Sequence, residues 1–477
     1  MSEKTSREEF KMKLQQFIET TKEQIVTGKI PIGEYLPAEL ALAERFDLSK
    51  NSVRKGLDEL VRQGLIVKKL RIGNLVVSNK PFDQIILRLG YYPSIQEEAV
   101  LSKLLRKFEE KYPLIKVQTI TLPYDHYHKT VKDFFQNDIV DAVTINYNDY
   151  CSLSQSGREL FEPLETDNQN YSFLEKAFLK EELYVKPFIF SPIVLCYNED
   201  HFKKAGLAFP DSGWQWEEVL KTASLLSKEK KHEKHCGFYF HSLSVNRWPI
   251  FLLQNQVSFM RDPNGEVSFN KEKFIESVNL CKDIFKEQEI VQNILSDSDK
   301  DAEKLFLEGK VSMIMTSYFS LNHMKEAPLN YDIAPLPYLE DARTLLLMIG
   351  IAINKHSTKI EAAKLLLNYL TSEECQEIIR TETLSIPAVK HIAERTGGEK
   401  VYQPPRFKLF REIIPTFRLY EKLGLSFQEL NEIGSELRLY WSGLITEDLL
   451  CNRITAKLFK ASQENMDSEE NVKSQKE

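Results

Sequence analysis

The 477-residue chain has no apolar run long enough to cross a bilayer. Its longest, residues 345–353, falls well short of the roughly 20 residues a spanning helix needs, so no membrane partner is expected. The N-terminal stretch MSEKTSREEFKMKLQQF lacks the apolar core and cleavage site of a secretory signal. The cytoplasm is the expected compartment. The six cysteines, at 151, 196, 236, 281, 375 and 451, are scattered and never spaced as CxxC, which argues against a disulfide framework or a zinc site and fits reduced thiols. His232 and His235 lie in a Lys-rich stretch beside Cys236 with nothing to complete a metal set, so no metal is expected. A Gly-rich phosphate loop, a nucleophile elbow and a paired-histidine motif are also missing. Neither a cofactor nor catalysis is therefore expected, and the abundant carboxylates default to surface charge.

What is present concentrates first in residues 36–77. Leu42, Ala43 and Phe46 repeat at helical spacing, as do Val53, Leu57, Leu60 and Val61, so two apolar faces can pack on one another. Between them, Asp47 tolerates a left-handed backbone and Ser49 is a good N-cap. One helix can thus end and the next begin within three to four residues, as a helix-turn-helix requires. The second helix turns Lys50, Asn51, Arg54 and Lys55 away from its apolar stripe. Gly64 to Val67 starts a strand, Gly73 permits a turn and Leu75 to Val77 returns, with Lys68, Lys69 and Arg71 at the tip. A basic hairpin beside a basic helix is a winged helix-turn-helix, built to reach phosphates and base edges of duplex DNA.

Charge supports that reading over a merely solvated helix face. Residues 50–71 hold seven Lys and Arg against two acids, in a chain whose formal charge is −7. Residues 1–80 carry 15 cations against 11 acids, leaving 48 against 59 downstream, a net −11. A surface of that sign binds nucleic acid poorly. The larger part of the chain needs another task.

Residues 28–76 resemble the N-terminal DNA-binding domain of the GntR family of bacterial transcription regulators. The likeness is carried by Gly28, Ile30, Gly33, Leu36-Pro37-Ala38-Glu39, Leu42-Ala43, the run from Ser49 to Arg54, Leu57, Leu60, Gly64-Leu65-Ile66 and Gly73. It implies that Ser49, Lys50, Asn51, Ser52 and Arg54 touch DNA and that Arg71 to Gly73 form the wing tip. Two departures stand out: Leu40 replaces a basic residue that often contacts the backbone, and Arg71 replaces the first wing glycine.

An amphipathic helix over 8–27 should complete a DNA-binding domain spanning 8–78, and the Pro-containing 79–84 reads as a linker. From residue 85, strands alternate with helices: 85–91, 96–112, 116–122, 126–136 and 142–146, then 193–197, 198–205, 214–226, 237–240, 311–315, 344–354 and 359–370. This predicts an α/β layer with a mainly parallel sheet. Ligands of such sheets bind in loops at the strands' carboxyl ends.

The segment from about 84 to 460 resembles the sugar-type extracellular solute-binding proteins that feed ABC importers. Phe108 to Pro113, Asp141-Ala142-Val143, Gly157 to Leu164, Tyr197-Asn198-Glu199-Asp200, Ala205-Gly206-Leu207, Pro210, Trp216-Glu217-Glu218, Phe306 to Met315 and Ala362 to Tyr369 carry the likeness by their order and spacing. The resemblance implies a two-lobed α/β, periplasmic-binding-protein-like domain over 85–460. One lobe would use about 85–188 plus 338–385 and the other 193–333 plus 387–460, with crossings near 188–191, 335–337 and 385–387. The polar tail, 462–477, is expected to be disordered.

A sugar needs polar planar partners for its hydroxyls and aromatics for its ring faces. Candidates are Tyr91 and Tyr92 after the first strand, Asn146, Tyr147, Asn148 and Asp149 after the third, Trp248, Tyr318 and Phe319 after the strand ending at Thr316, and Phe407. Each has packing as its alternative role, most of all Trp248 and Phe407, and Trp441 is read as packing. The fold expected is therefore an α+β winged helix followed by a two-lobed α/β domain. The expected function is a cytoplasmic, homodimeric one-component regulator that binds double-stranded operator DNA and senses a mono- or oligosaccharide by lobe closure. The competing readings are a solute-binding module docking a protein instead of DNA and, with least support, a saccharide-processing enzyme.

Overall fold

The computed structural model describes residues 2–69, 72–79, 85–153, 155–166, 168–229, 235–286 and 298–474. They form two compact units, residues 1–89 with 105–119 and residues 90–104 with 120–477. The division falls within a strand, not in the expected linker, of which residues 80–84 lie outside the described residues.

In the first unit, α1 (Ser2–Val26), α2 (Glu39–Phe46) and α3 (Lys50–Arg62) enclose a core of Phe17, Ile25, Leu42, Val53, Leu57, Leu60 and Leu65. Asp47 ends α2 in the left-handed conformation at φ 50°, its amide bonded to the Ala43 carbonyl. Ser49 caps α3 by accepting a hydrogen bond from the Ser52 amide at 3.2 Å. Val61, assigned to the apolar stripe from spacing, is exposed instead, because Leu57 and Leu60 already cover the contact with α1. The wing pairs β1 (Ile66–Lys69) antiparallel with β2 (Gly73–Val76), matching Lys69 to Gly73. The segment 33–36 lines the wing's other edge, Leu36 N–H donating to Asn74 O and Val76 N–H to Glu34 O, each at 2.9 Å. Also in this unit are most of β3 (Ile85–Tyr91), then, beyond α4 (Ile95–Glu98), α5 (Leu101–Lys111) and β4 (Ile115–Thr121). The single helix expected over 96–112 is two, broken at Val100, whose φ is 46°.

The second unit continues with α6 (Tyr127–Gln136), β5 (Ala142–Asn146), α7 (Tyr147–Ser152), β6 (Lys186–Asn198), β7 (Cys236–Tyr239), the small hairpin of β8 (Met260–Arg261) and β9 (Val267–Ser268), β10 (Val311–Ser317), β11 (Tyr331–Ala334), β12 (Thr344–Ile353), β13 (Ile386–Pro387) and β14 (Phe417–Arg418). Its strands run in the order β5-β12-β6-β10-β7. The sheet is mixed, correcting the mainly parallel expectation: β12 is antiparallel to both β5 and β6, β10 is antiparallel to β6, and β10 with β7 is parallel. Local strand–helix alternation could not reveal that the 13-residue β6 serves both lobes. Its first half pairs with β12 and its second with β10 and β11. The change of partner lies at Pro192-Ile193, where the Thr344 hydroxyl also donates to Ile193 O at 2.6 Å.

Hydrogen bonds move two of the expected lobe limits. Residues 338–343 stay with the second lobe, since Gln254 Nε2 donates to Pro337 O and Arg343 O at 2.8 and 3.0 Å and Lys273 pairs with Glu340. Residues 388–400 stay with the first, through Tyr171 N–H to Ala388 O at 3.1 Å, Arg380 to Glu399 at 2.8 Å and Lys400 N–H to Thr381 O at 2.7 Å. The last helix is drawn from Glu447 to Ser474, a stretch without Gly or Pro to stop it, and only 475–477 fall outside the described residues.

Candidate functional site

The recognition face is built by the cap at Ser49. With α3 started there, Lys50, Asn51, Arg54 and Lys55 come out exposed on one side while Val53, Leu57 and Leu60 are buried on the other. Among the described residues, Lys50 and Lys55 carry no ion pair and remain available to phosphates. Arg54 is half exposed and donates its Nε–H to the Glu39 carboxylate at 2.9 Å.

Two of the expected contact residues are engaged within the protein, and a third is not described. Ser52 is buried and its hydroxyl is engaged with Ser49 Oγ at 2.7 Å, so it shapes the cap instead of meeting DNA. Lys68 pairs with Asp58 of α3, which ties wing to helix and neutralises that cation. Arg71 lies outside the described residues. Lys69 is exposed at the hairpin, and Gly73 has a φ of 140° that any side chain would resist. Leu40 is 62 % exposed and presents an apolar side chain beside Glu39 on α2.

The ligand candidates divide more sharply. Tyr92, Asn146 and Asp149 bond one another: Tyr92 donates to Asp149 Oδ2 at 2.6 Å, Asn146 Nδ2 donates to the same oxygen at 2.7 Å, and the Asn146 and Asp149 amides donate to Tyr92 Oη and Asn146 Oδ1. Tyr92 is buried and stacked on Tyr127 at 3.8 Å between ring centres. This closed network fixes the loop that presents Tyr147 and Asn148. Tyr91 is buried and accepts from the Thr121 hydroxyl at 2.9 Å, on the sheet. Tyr318 is a clamp, donating to Phe407 O at 2.8 Å and accepting from the Phe410 amide at 3.1 Å. Phe319, Phe407 and Trp248 are buried in packing, with Trp248 inside the second-lobe core. The six aromatic candidates Tyr91, Tyr92, Trp248, Tyr318, Phe319 and Phe407 are thus placed in packing in this structure. Trp441 packs as expected, donating to Val278 O at 2.9 Å.

Of the expected ligand set, Tyr147 and Asn148 line a crevice between the lobes. They share it with Cys151 and Ser152 of the first lobe and with Tyr420, Glu421, Leu425, Ser426 and Phe427 of the second, around a narrow crevice of about 50 Å³. Sequence reasoning missed the second-lobe wall because the two-residue strand β14 just before it has no periodicity to read. The visible signal was Ser426, which caps the helix Phe427–Trp441 with Glu429 in a capping box and so holds Phe427 at its start. The two lobes also touch directly, Lys180 pairing with Glu421 at 3.2 Å. Burial raises the Glu421 carboxyl, but Tyr147 and Lys180 outweigh it and leave the group below its ordinary value. Burial also pushes the Tyr147 phenol well up, beside Cys151 and Glu421.

A second bridge between the lobes centres on His323, which meets Glu303 Oε2 at 2.7 Å through Nδ1 and Glu97 Oε2 at 3.3 Å through Nε2. Its pKa is raised, first by the hydrogen bond to Glu303. Burial pushes neighbouring Glu98 up to about 7, and its Oε2 is enclosed without a hydrogen-bond partner. No group of three or more His, Cys, Asp or Glu among the described residues could hold a metal; His232 is not among them.

Comparison with known proteins fits both halves of this geometry. Residues 15–76 match the bacterial regulatory proteins of the gntR family, and residues 92–377 match bacterial extracellular solute-binding protein. The chain is 24% identical over 276 residues to the maltodextrin-binding protein of Bacillus subtilis, covering 54% of this chain and 63% of that protein. It is 23% identical over 224 residues to the galactooligosaccharide-binding protein of the same organism, covering 46% and 52%. The chain thus spans about half to three-fifths the length of these curated relatives. An ABC substrate-binding protein from Listeria monocytogenes in complex with cycloalternan superposes with a TM-score of 0.67 at 20% identity, over 80% of this chain and 99% of that one. The fold is therefore the two-lobed one of solute-binding proteins, behind a winged helix. The chain belongs to the bacterial extracellular solute-binding protein family, and it carries at its N-terminus a regulatory domain of the gntR family.

Proposed function

We propose that this chain is a one-component transcriptional regulator of the cytoplasm, in which the winged helix binds operator DNA and the two-lobed domain senses a saccharide. The observation that carries the reading is the presence, in one polypeptide, of a gntR-type winged helix with exposed cations on α3 and a two-lobed solute-binding-protein domain whose lobes meet at a crevice. The cleft's chemistry favours a neutral polyhydroxylated ligand. Phe427 offers a part-exposed ring face backed by the buried Tyr147 and Tyr420, Asn148, Ser152 and Ser426 offer hydrogen bonds, and the acid Glu421 disfavours phosphates. Maltodextrin and galactooligosaccharide binding, named for two relatives, supports the same class.

The mechanism follows from where the lobes join. A ligand between α7 and residues 420–427 replaces the direct Lys180–Glu421 contact, and β6 and β12 absorb the rotation around Ser191 to Ile193. Differential affinity for the two lobe arrangements then biases DNA binding. A homodimer matches two half-sites about one helical turn apart. The experiment is a thermal-shift screen of the full chain against mono- and oligosaccharides, followed by DNA binding across a salt series. A selective hit and a steep fall of DNA affinity with salt are expected. DNA binding that is undetectable at low salt would leave a solute-binding module that docks a protein partner.

A further inference from the structure

The Arg54–Glu39 pair does more than join two helices. Arg54 stands on the exposed face of α3, and Glu39 opens the neighbouring helix α2. Glu39 engages Nε of the guanidinium at 2.9 Å, on the stem side of the planar fork. That contact leaves the outer pair of Nη groups free, the edge that reads guanine O6 and N7 in the major groove. A carboxylate on a DNA-facing surface repels phosphates, so its presence weakens binding to every sequence. Its compensating value is orientation: a long side chain with several rotatable bonds is held in one approach to the base edge.

We propose that Glu39 is a positioning residue for DNA sequence selection, acting through Arg54, which reads a guanine. The inference rests on the DNA-binding reading above. It separates two properties that other residues of the face join: Lys50 and Lys55 add affinity for any duplex, whereas Glu39 lowers that affinity and sharpens the choice among duplexes.

The test uses the full-length chain and a randomised duplex pool. Wild-type protein selects its preferred duplex, and binding to that duplex and to a scrambled one is then measured for Glu39→Ala, Glu39→Gln, Arg54→Ala and Glu39→Ala combined with Arg54→Ala. Both Glu39 variants remove the charge and should bind the scrambled duplex a few-fold more tightly. Only Ala removes the oxygen that accepts from Nε. Glu39→Ala should therefore lose about tenfold in discrimination, the value of a lost bidentate contact, while Glu39→Gln retains most of it. Adding Glu39→Ala to Arg54→Ala should cost no further discrimination. A purely structural role for Glu39 would instead lower the melting temperature and leave discrimination intact. Equal discrimination in wild type, Glu39→Ala and Glu39→Gln would overturn the positioning role, as would equal loss in the two variants or an additive loss in the double variant. Failure of the wild-type chain to enrich any sequence would overturn the DNA-binding reading itself, and the inference with it.

Discussion

Replacing Gly424 by Ala should damage the solute-binding unit far more than replacing Gly443, although both residues have left-handed backbones at φ 69° and 73°. A Cβ at Gly424 would lie 2.1 Å from the Phe259 carbonyl oxygen, a backbone atom that cannot swing aside. At Gly443 the same atom would meet nothing within 4 Å. Both variants incur the left-handed strain of an L-residue, about 1–2 kcal/mol. Gly424→Ala adds an overpacking cost of about 1–3 kcal/mol, because the turn carrying Tyr420 and Glu421 must pull away from the residue 259 backbone, whose amide donates to Leu423 O at 2.8 Å. The assay is thermal unfolding of both variants beside wild type. Domains of 150–250 residues lose roughly 2–4 °C per kcal/mol and larger ones less, so Gly424→Ala should melt on the order of 3 °C below Gly443→Ala. It should also weaken saccharide binding, since the displaced turn is one wall of the cleft. Equal melting points would refute the packing of residues 259 and 424 on which that wall depends.

Arg54→Ala and Lys50→Ala should weaken operator binding and leave saccharide-induced stabilisation unchanged; for Arg54 the loss at its base pair is about 1–3 kcal/mol, read by fluorescence anisotropy. Phe427→Ala should reduce saccharide affinity, as Phe427 is only part-buried at the cleft. Phe319→Ala, by contrast, should cost about 3–5 kcal/mol of stability as a buried aromatic, so calorimetry of the two variants separates cleft from packing. The His323 bridge predicts a pH dependence. Stability from its raised pKa is complete below about 6.5 and is lost as pH rises through the elevated value. Glu98 acts in the same direction, since its proton is held in the fold between 4.5 and about 7. Melting temperature should therefore fall between pH 5 and 8, His323→Gln and Glu98→Gln should each flatten the slope, and an unchanged slope in both would exclude these groups.

How legible the molecule was depended on the kind of signal. The winged helix could be read from local chemistry, because Asp47, Ser49 and the spacing of Val53, Leu57 and Leu60 determine the turn, the cap and the buried face without help from distant residues. What spacing could not show is that the same cap that exposes Lys50 buries Ser52 and turns its hydroxyl toward Ser49. In the larger domain most strand and helix positions followed from periodicity, but not the antiparallel passage of β6 and β12 between lobes, which is a property of pairing across about 150 residues of sequence. The cleft was least legible. Tyr92, Tyr318 and Phe407 have the composition of sugar platforms, yet their hydroxyls and carbonyls satisfy one another or the chain. Tyr420 and Phe427 reach the cleft from a turn whose position depends on the approach of Gly424 to residue 259.

The central claim is that one chain couples a saccharide to DNA. The most direct measurement is the Kd of the full-length protein for its selected duplex, by anisotropy at fixed salt, with and without a saturating saccharide from the thermal-shift screen. The account predicts a change of about fivefold or more in Kd, the lower end of ordinary coupling energies, with the same factor in saccharide affinity when DNA is present. An identical Kd with and without the bound saccharide would contradict it.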